Sequence, residues 1–269
     1  MHQYYRISYQ PILVDCSNNM LSLYQLNILP NQSALSTLPY GKLLINTINA
    51  HSYNVAQEDE AFAEALRKGD VLTADGASIV HACRYLNTPS QPTERVAGWD
   101  VFIYEMTALE KRAETDNTHP TVFFMGSSPD VLQRIKERAA LDFPYLKILT
   151  YSPPYKPEFS PEDNVAIIGA INAANPDLLW IGMTAPKQEK WTYRYWQKLD
   201  IHCHVGTIGA VFDFYAGTAK RAPLWWQQHS LEWLYRLIKE PRRMWRRYII
   251  GNVKFIKYIL KEKRAHNAK

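Results

Sequence analysis

From residue 43 to about 218, short apolar runs alternate with helical stretches. This alternation predicts an α/β fold that is Rossmann-like, with a mostly parallel sheet and helices on both of its faces. Two further observations complete the expectation. The 269 residues are 46% hydrophobic, ample for a packed core. Charge is split along the chain: residues 220–269 carry fourteen Lys and Arg against three Glu, whereas the preceding 219 carry seventeen against twenty-three Asp and Glu. That tail also holds four of the eight tryptophans, which predicts a C-terminal basic amphipathic helical appendage on a mildly acidic body.

Residues 1–42 contain scattered apolar side chains, Pro11, Pro30 and Pro39, and the polar cluster Asn31-Gln32-Ser33; no element is assigned there. LLINTIN from Leu43 reads as a buried strand, AQEDEAFAEALRKG (56–69) as a helix that Gly69 ends, and VLTA (71–74) as a second strand. A helix at 77–86, a loop rich in Pro and Thr, a helix at 99–112 and the strand TVFFMG (121–126) follow. Ser127-Ser128-Pro129 is a helix start, a hydroxyl to accept from the first turn and a proline that has no N–H to leave unpaired. Helices at 129–142, 162–174 and 187–198 then alternate with strands at 146–150, 177–182 and 201–205, before GTIGAVFDFYAG. The division is a catalytic body at 43–218, with room for two subdomains split near 115–120, and an appendage at 219–269.

In a sheet of this kind ligands sit beyond the carboxyl ends of the strands, where Thr47, Asn49, Asp75, Gly126, Lys187 and Gln188 fall. Asp75 follows an almost wholly apolar strand and precedes Gly76. Its carboxylate there either accepts a proton in a partly desolvated crevice or caps the helix at 77–86. Thr47 and Asn49 stand two apart on one strand and therefore point to the same side, toward a ligand or toward neighbouring backbone. In GMTAPKQEKW, Pro186 suits a first helical position, and the free N–H groups of that first turn, with Lys187 and Gln188, are suited to a diphosphate. The alternative is an ordinary capped helix whose charges, Glu189 in the same turn among them, are solvated. The stretch VGTIGAVFDFYAG lacks G-x-G-x-x-G, so no dinucleotide cofactor is assigned. His202 and His204 share a strand face without a third and fourth ligand at suitable spacing, and there is no D-x-D pair, so no metal is assigned. Charge on a leaving diphosphate then falls to Arg, Lys and backbone donors.

In the tail Trp245, Tyr248, Ile249, Val253, Ile256, Ile259 and Leu260 recur at three- and four-residue steps, with Arg243, Arg247, Lys254, Lys257 and Lys261 on another face. Such a helix suits an anionic membrane surface, or docks its apolar side on the body. Interleaved Arg and Trp also serve nucleic acids, but the apolar stripe suits a bilayer interface better, and no nucleic-acid partner is assigned. No stretch reaches the roughly 20 apolar residues of a spanning helix, so membrane contact is expected to be peripheral. Three scattered cysteines (Cys16, Cys83, Cys203) and a start without signal-peptide character place the chain in the cytoplasm. Weak self-association through the body is compatible with this composition.

Together, TIN (47–49), DG (75–76), ERVAGWD (94–100), PKQEKW (186–191), FDFYAG (212–217), KRAP (220–223) and LEWLYRLIKEPRRMWRRY (231–248) resemble the WecG/TagA/CpsF family of bacterial glycosyltransferases over roughly residues 43–255. The resemblance implies transfer of a hexose, commonly N-acetylmannosamine, from a UDP-sugar to a polyprenyl-diphosphate-linked sugar. It implies inversion, at the cytoplasmic face of the membrane, in cell-surface polysaccharide assembly. It further implies Asp75 as general base, Thr47 and Asn49 beside it, and Arg95 and Gln188 on the donor sugar or diphosphate. The appendage would supply an arginine from among Arg236, Arg243, Arg246 and Arg247. Thr184 and Ala210 stand where the family commonly has Gly, and the first forty residues differ from its usual entry strands, so the donor sugar is left open.

Overall fold

The computed structural model describes residues 20–229 and 231–268. Cys16 and residues 1–19 of the N-terminal segment lie outside the described residues. Six strands, β1 (Leu43–Ile48), β2 (Val71–Ala74), β3 (Thr121–Gly126), β4 (Lys147–Tyr151), β5 (Leu178–Gly182) and β6 (His204–Thr207), form one sheet in the order β2-β1-β6-β5-β3-β4. Every pairing is parallel. The chain steps outward from β1 to β2, crosses to β3 and β4, and returns through β5 and β6 to lie again beside β1.

Period-two alternation explains why both faces are covered. Leu43, Ile45, Val122, Phe124, Leu178 and Trp180 point to one side and pack with the helices Gly98–Asp116 and Pro129–Asp142. Leu44, Phe123, Met125, Leu179, Ile181 and Val205 point to the other and meet Ile167 and Ile171 of Pro161–Ala174 and Trp191 of Lys187–Tyr195. A third cluster surrounds Ile48, Leu72 and Ala74, and it includes Leu21, Leu23 and Ile28 of the N-terminal segment. Residues 20–42, where the sequence pattern assigns no element, contain two short 3-10 helices, and Ile28 bridges Leu72.

Three element boundaries differ from expectation. The helix expected at 56–69 begins only at Glu60, where Asp59 caps it by accepting from Phe62 N–H, and a separate helix to which the sequence pattern assigns nothing, Ala50–Ala56, precedes it. The last strand begins at His204 rather than 201 and runs on through Gly206 to Thr207, past the expected end at 205. A Cβ at Gly206 would lie 2.2 Å from the Trp180 ring on β5, so glycine is there to admit an indole and not to bend the chain. The expected single stripe of the appendage divides. After the helices Leu224–Gln228 and Glu232–Lys239, the chain turns helical again at Pro241–Trp245 and passes through a π turn (Arg246–Ile250) into Gly251–Asn267. Phe255 and Ile259 face inward and are buried, whereas Trp245, Ile249, Val253, Ile256 and Leu260 remain largely exposed.

The inward face is held by polar anchors. Glu262 is only 2% exposed and accepts from Leu23 N–H at 2.8 Å, the Tyr53 hydroxyl at 2.7 Å and the Ser22 hydroxyl at 2.5 Å. Asn54 Nδ2 donates to Gly251 O at 2.7 Å, Lys254 pairs with Glu58, and Tyr53 meets the edge of Phe255. The last helix is thereby fastened to the helix Ala50–Ala56. Removing the shared acceptor strands buried donors, so Glu262→Ala is expected to lower unfolding free energy by roughly 2–3 kcal/mol. Equilibrium urea unfolding measures this, and proteolysis within 246–268 should quicken in parallel.

Candidate active site

A cleft of about 1780 Å³ opens along the carboxyl edge of the sheet. The body contributes Thr47 and Asn49 after β1, Asp75 after β2, Ser127 and Ser128 after β3, and Lys187 and Gln188 after β5. The appendage closes the far side with Arg221, Glu232, Arg236 and Arg247, and with Phe255, Ile256, Ile259 and Leu260. The lining therefore combines several cations with a group of apolar side chains from the last helix.

Asp75 does not cap the helix Ala77–Leu86; Gly76 occupies that position and makes no side-chain cap bond. The carboxylate is thus left facing the cleft, with the Asn49 amide donating to it at a long 3.5 Å. Burial pushes it up to about 6, opposed by Arg95 and Arg236 and assisted by Glu232. Desolvation outweighs the nearest guanidinium, so the ionised form is held in an unfavourable place. Asn49 also serves the backbone, since its Oδ1 accepts from His51 N–H and Ser52 N–H at 3.0 Å and so caps Ala50–Ala56. One amide atom of Asn49 thus serves neighbouring backbone and the other faces Asp75.

Gln188 is buried and committed to its own loop. Its Oε1 accepts from Met183 N–H at 3.1 Å and its Nε2 donates to Glu189 Oε1 at 2.8 Å. Glu189 is not a solvated charge; it is 2% exposed, pushed up to about 7 by burial, and its Oε2 is buried without a hydrogen-bond partner among the described residues. Lys187 donates to Lys156 O at 2.6 Å and lies over the Phe159 ring, which draws the loop after β4 to the cleft. Pro186 sits one place earlier than expected, at the cap of its helix.

The structure thus brings Thr47, Asn49, Asp75, Arg95, Lys187, Gln188, Arg236 and Arg247 to one cleft. Gly126 does not line it. Its φ of +117° and the Gly182 carbonyl 2.5 Å from where its Cβ would stand make it a packing residue beneath the floor. Arg246 does not line it either, lying exposed over the Trp245 ring, and the side chain of Arg243 is outside what the structure describes. His204 faces away, at the amino end of β6. Burial opposes its protonation, but Glu105 at 3.1 Å and the Pro39 carbonyl at 2.9 Å hold its pKa above the usual histidine value.

Sequence reasoning missed Glu232 and Arg221 as cleft residues. Glu232 ion-pairs with Arg95 and approaches Arg221 at 3.5 Å, and Arg221 lies 4.9 Å over the Trp99 ring. The one signal for them is compositional: Glu232 and Glu240 are the sole acidic residues between Asp213 and Glu262, in an otherwise basic stretch. Arg247 reaches toward His51, which burial first and this arginine second lower to about 4.

A doubly wound parallel sheet with a cation-rimmed cleft at its strand ends, lined by the desolvated carboxylates Asp75 and Glu189, is the architecture of an α/β enzyme. The chain belongs to the glycosyl transferase WecG/TagA/CpsF family, whose profile matches residues 28–269, and it is a glycosyltransferase. The match extends the resemblance of 43–255 in both directions. Among similar proteins, the N-acetylglucosaminyldiphosphoundecaprenol N-acetyl-beta-D-mannosaminyltransferase of Bacillus subtilis (strain 168) is 29% identical over 221 residues, 82% of this chain and 80% of that protein. The protein of the same name from Bacillus spizizenii (strain ATCC 23059 / NRRL B-14472 / W23) is 31% identical over 210 residues, 78% and 76% respectively.

Because the folded state raises the Asp75 pKa from 3.8 to about 6, ionised Asp75 opposes folding at neutral pH. The penalty is absent below the unfolded value and grows as pH rises through the window between the two. Asp75→Asn is therefore expected to be the more stable protein at pH 7.5 by on the order of 1–2 kcal/mol, allowing for water in the cleft, with no advantage near pH 3.5. Parallel denaturation curves at the two pH values check this.

Proposed function

We propose that the protein transfers a hexose, N-acetylmannosamine by analogy with the named relatives, from a UDP-sugar to a polyprenyl-diphosphate-linked N-acetylglucosamine, with inversion. The observation that carries this reading is Asp75, a carboxylate free of any capping role at the strand end, facing a cleft whose opposite wall is arginine-rich. In this reading the acceptor hydroxyl gives its proton to Asp75 as its oxygen bonds to the anomeric carbon. The bond from that carbon to the diphosphate breaks, and UDP leaves with the electron pair.

Arg95, Arg236 and Arg247 are the cations suited to that departing charge. Arg247 lines the cleft beside His51, and its buried Nε has no hydrogen-bond partner among the described residues. Thr47 and Asn49 shape the floor beside Asp75, and Gln188 with Glu189 fixes the loop after β5. Charge neutralisation by arginine makes the reaction metal-independent in this reading, which EDTA tests directly.

The apolar lining contributed by Phe255, Ile256, Ile259 and Leu260 favours an acceptor carried on a lipid. Residues 219–269 act as the membrane-associating unit beside a catalytic body at 43–218. No helix among the described residues is long and apolar enough to cross a membrane. Exposed Trp245, Ile249 and Val253, flanked by lysines and arginines, suit peripheral binding to the anionic inner face of the cell membrane.

The test is UDP release from a panel of UDP-sugars with a polyprenyl-diphosphate N-acetylglucosamine acceptor in EDTA. Acceptor-dependent release with one donor is expected, reduced by about a hundredfold or more in Asp75→Asn. The base must be ionised, so kcat/KM should rise about tenfold per pH unit up to a break near 6 and level off above it. Undiminished turnover by Asp75→Asn overturns the base assignment, and release that needs a divalent ion overturns metal independence.

A further inference from the structure

Glu232 is at first sight misplaced. A carboxylate in a cleft meant for a diphosphate repels its ligand, and it lies near enough to Asp75 to raise that group's pKa. Its surroundings explain it. Glu232 Oε2 accepts from Arg95, which comes from the loop before Gly98–Asp116, and Oε1 accepts from Arg221 at 3.5 Å, at the root of the appendage. The three side chains are 19% to 26% exposed, so this is not a solvated surface pair of negligible worth. Arg221 is held on its other side by the Trp99 ring. One turn along the same helix Arg236 lies over Phe214, so Glu232 and Arg236 both line the cleft. One carboxylate thus sits between two guanidiniums, each with further N–H donors than the one it spends here. Two cations brought together would otherwise repel, and long side chains would otherwise sample many rotamers.

We propose that Glu232 is a positioning residue of the transferase: the carboxylate by which the appendage holds Arg95 and Arg221 side by side next to Asp75, so that their remaining N–H groups meet the diphosphate of the donor. This inference rests on the function proposed above. It makes the appendage part of donor recognition in addition to a membrane contact, because a body whose appendage is displaced lacks both Glu232 and Arg221. The cost of the added negative charge is offset by preorganisation of donors that need not rearrange when the diphosphate arrives.

The experiment compares the full chain with its E232Q and E232D variants for UDP affinity by calorimetry, for KM and kcat with the preferred UDP-sugar, and for the pH profile of kcat/KM. E232Q is expected to weaken UDP binding and raise KM by roughly ten- to a hundredfold, with a smaller change in kcat, and E232D to recover most of the loss. Asp75 is faced by Arg95, Arg236, Glu232 and Asn49; removing the Glu232 charge leaves the groups that favour its ionised form, so the acidic break of E232Q should move to lower pH. The larger change in KM than in kcat, recovered by E232D, is the readout that a merely structural residue would not give. The proposal is overturned if E232Q retains the KM, UDP affinity and pH break of the unaltered protein. It is equally overturned if E232Q and E232D lose activity alike together with folding cooperativity and binding to anionic phospholipid vesicles. Failure of the unaltered protein to bind UDP would instead overturn the transferase reading on which this rests, and the inference with it.

Discussion

Parallel strand pairing shapes everything else in this molecule. A parallel strand cannot return by a tight turn, so each crossover spends a helix, and the helices must cover both faces of the sheet. The same pairing places every carboxyl end on one edge. Residues as distant as Thr47, Asp75, Ser127 and Gln188 therefore share a cleft without any one segment specifying it. Beneath that edge glycines leave room for rings: Gly206 admits Trp180 of the neighbouring strand, and Gly182 admits Phe212 of the helix after β6.

The second layer of organisation is the closure of the cleft by the appendage. The helix Ala50–Ala56 serves both sides of this arrangement. Its cap residue, Asn49, reaches toward Asp75, while its body residues Tyr53 and Asn54 receive the last helix through Glu262, Phe255 and Gly251. Docking of the basic tail and geometry of the strand end that carries Asp75 are thereby mechanically joined. Electrostatics follow the same division, with acidic groups in excess on the body and a tail that carries fourteen Lys and Arg against three Glu. Arginines from the tail and from the loop at Arg95 meet around one carboxylate, and desolvation still prevails over their attraction at Asp75.

Much of the fold is legible in the chain because its signals are local. Apolar runs bounded by Gly, Pro and capping residues mark all six strands, Gly69 ends a helix and Ser128-Pro129 begins one. Local reading fails where a distant partner decides. Gly206 falls outside the expected strand until Trp180 is known to lie against it, and a solvated Glu189 stays an open alternative until the fold encloses it. Gly126 lies at a strand end like the ligand-facing residues, yet its neighbour is Gly182 of the adjacent strand.

Contiguous residues alone establish the alternation of strand and helix, the polarity of body against tail and the motif segments that place the chain among glycosyltransferases. Three features depend instead on how the folded chain comes together: which tail arginines line the cleft, which face of the last helix is buried, and that Glu232 joins Arg95 to Arg221. Those contacts link groups more than a hundred residues apart in the case of Arg95 and Glu232. No periodicity or capping pattern reports them, because their energy depends on which surfaces are brought together when the sheet is assembled and water is removed between them.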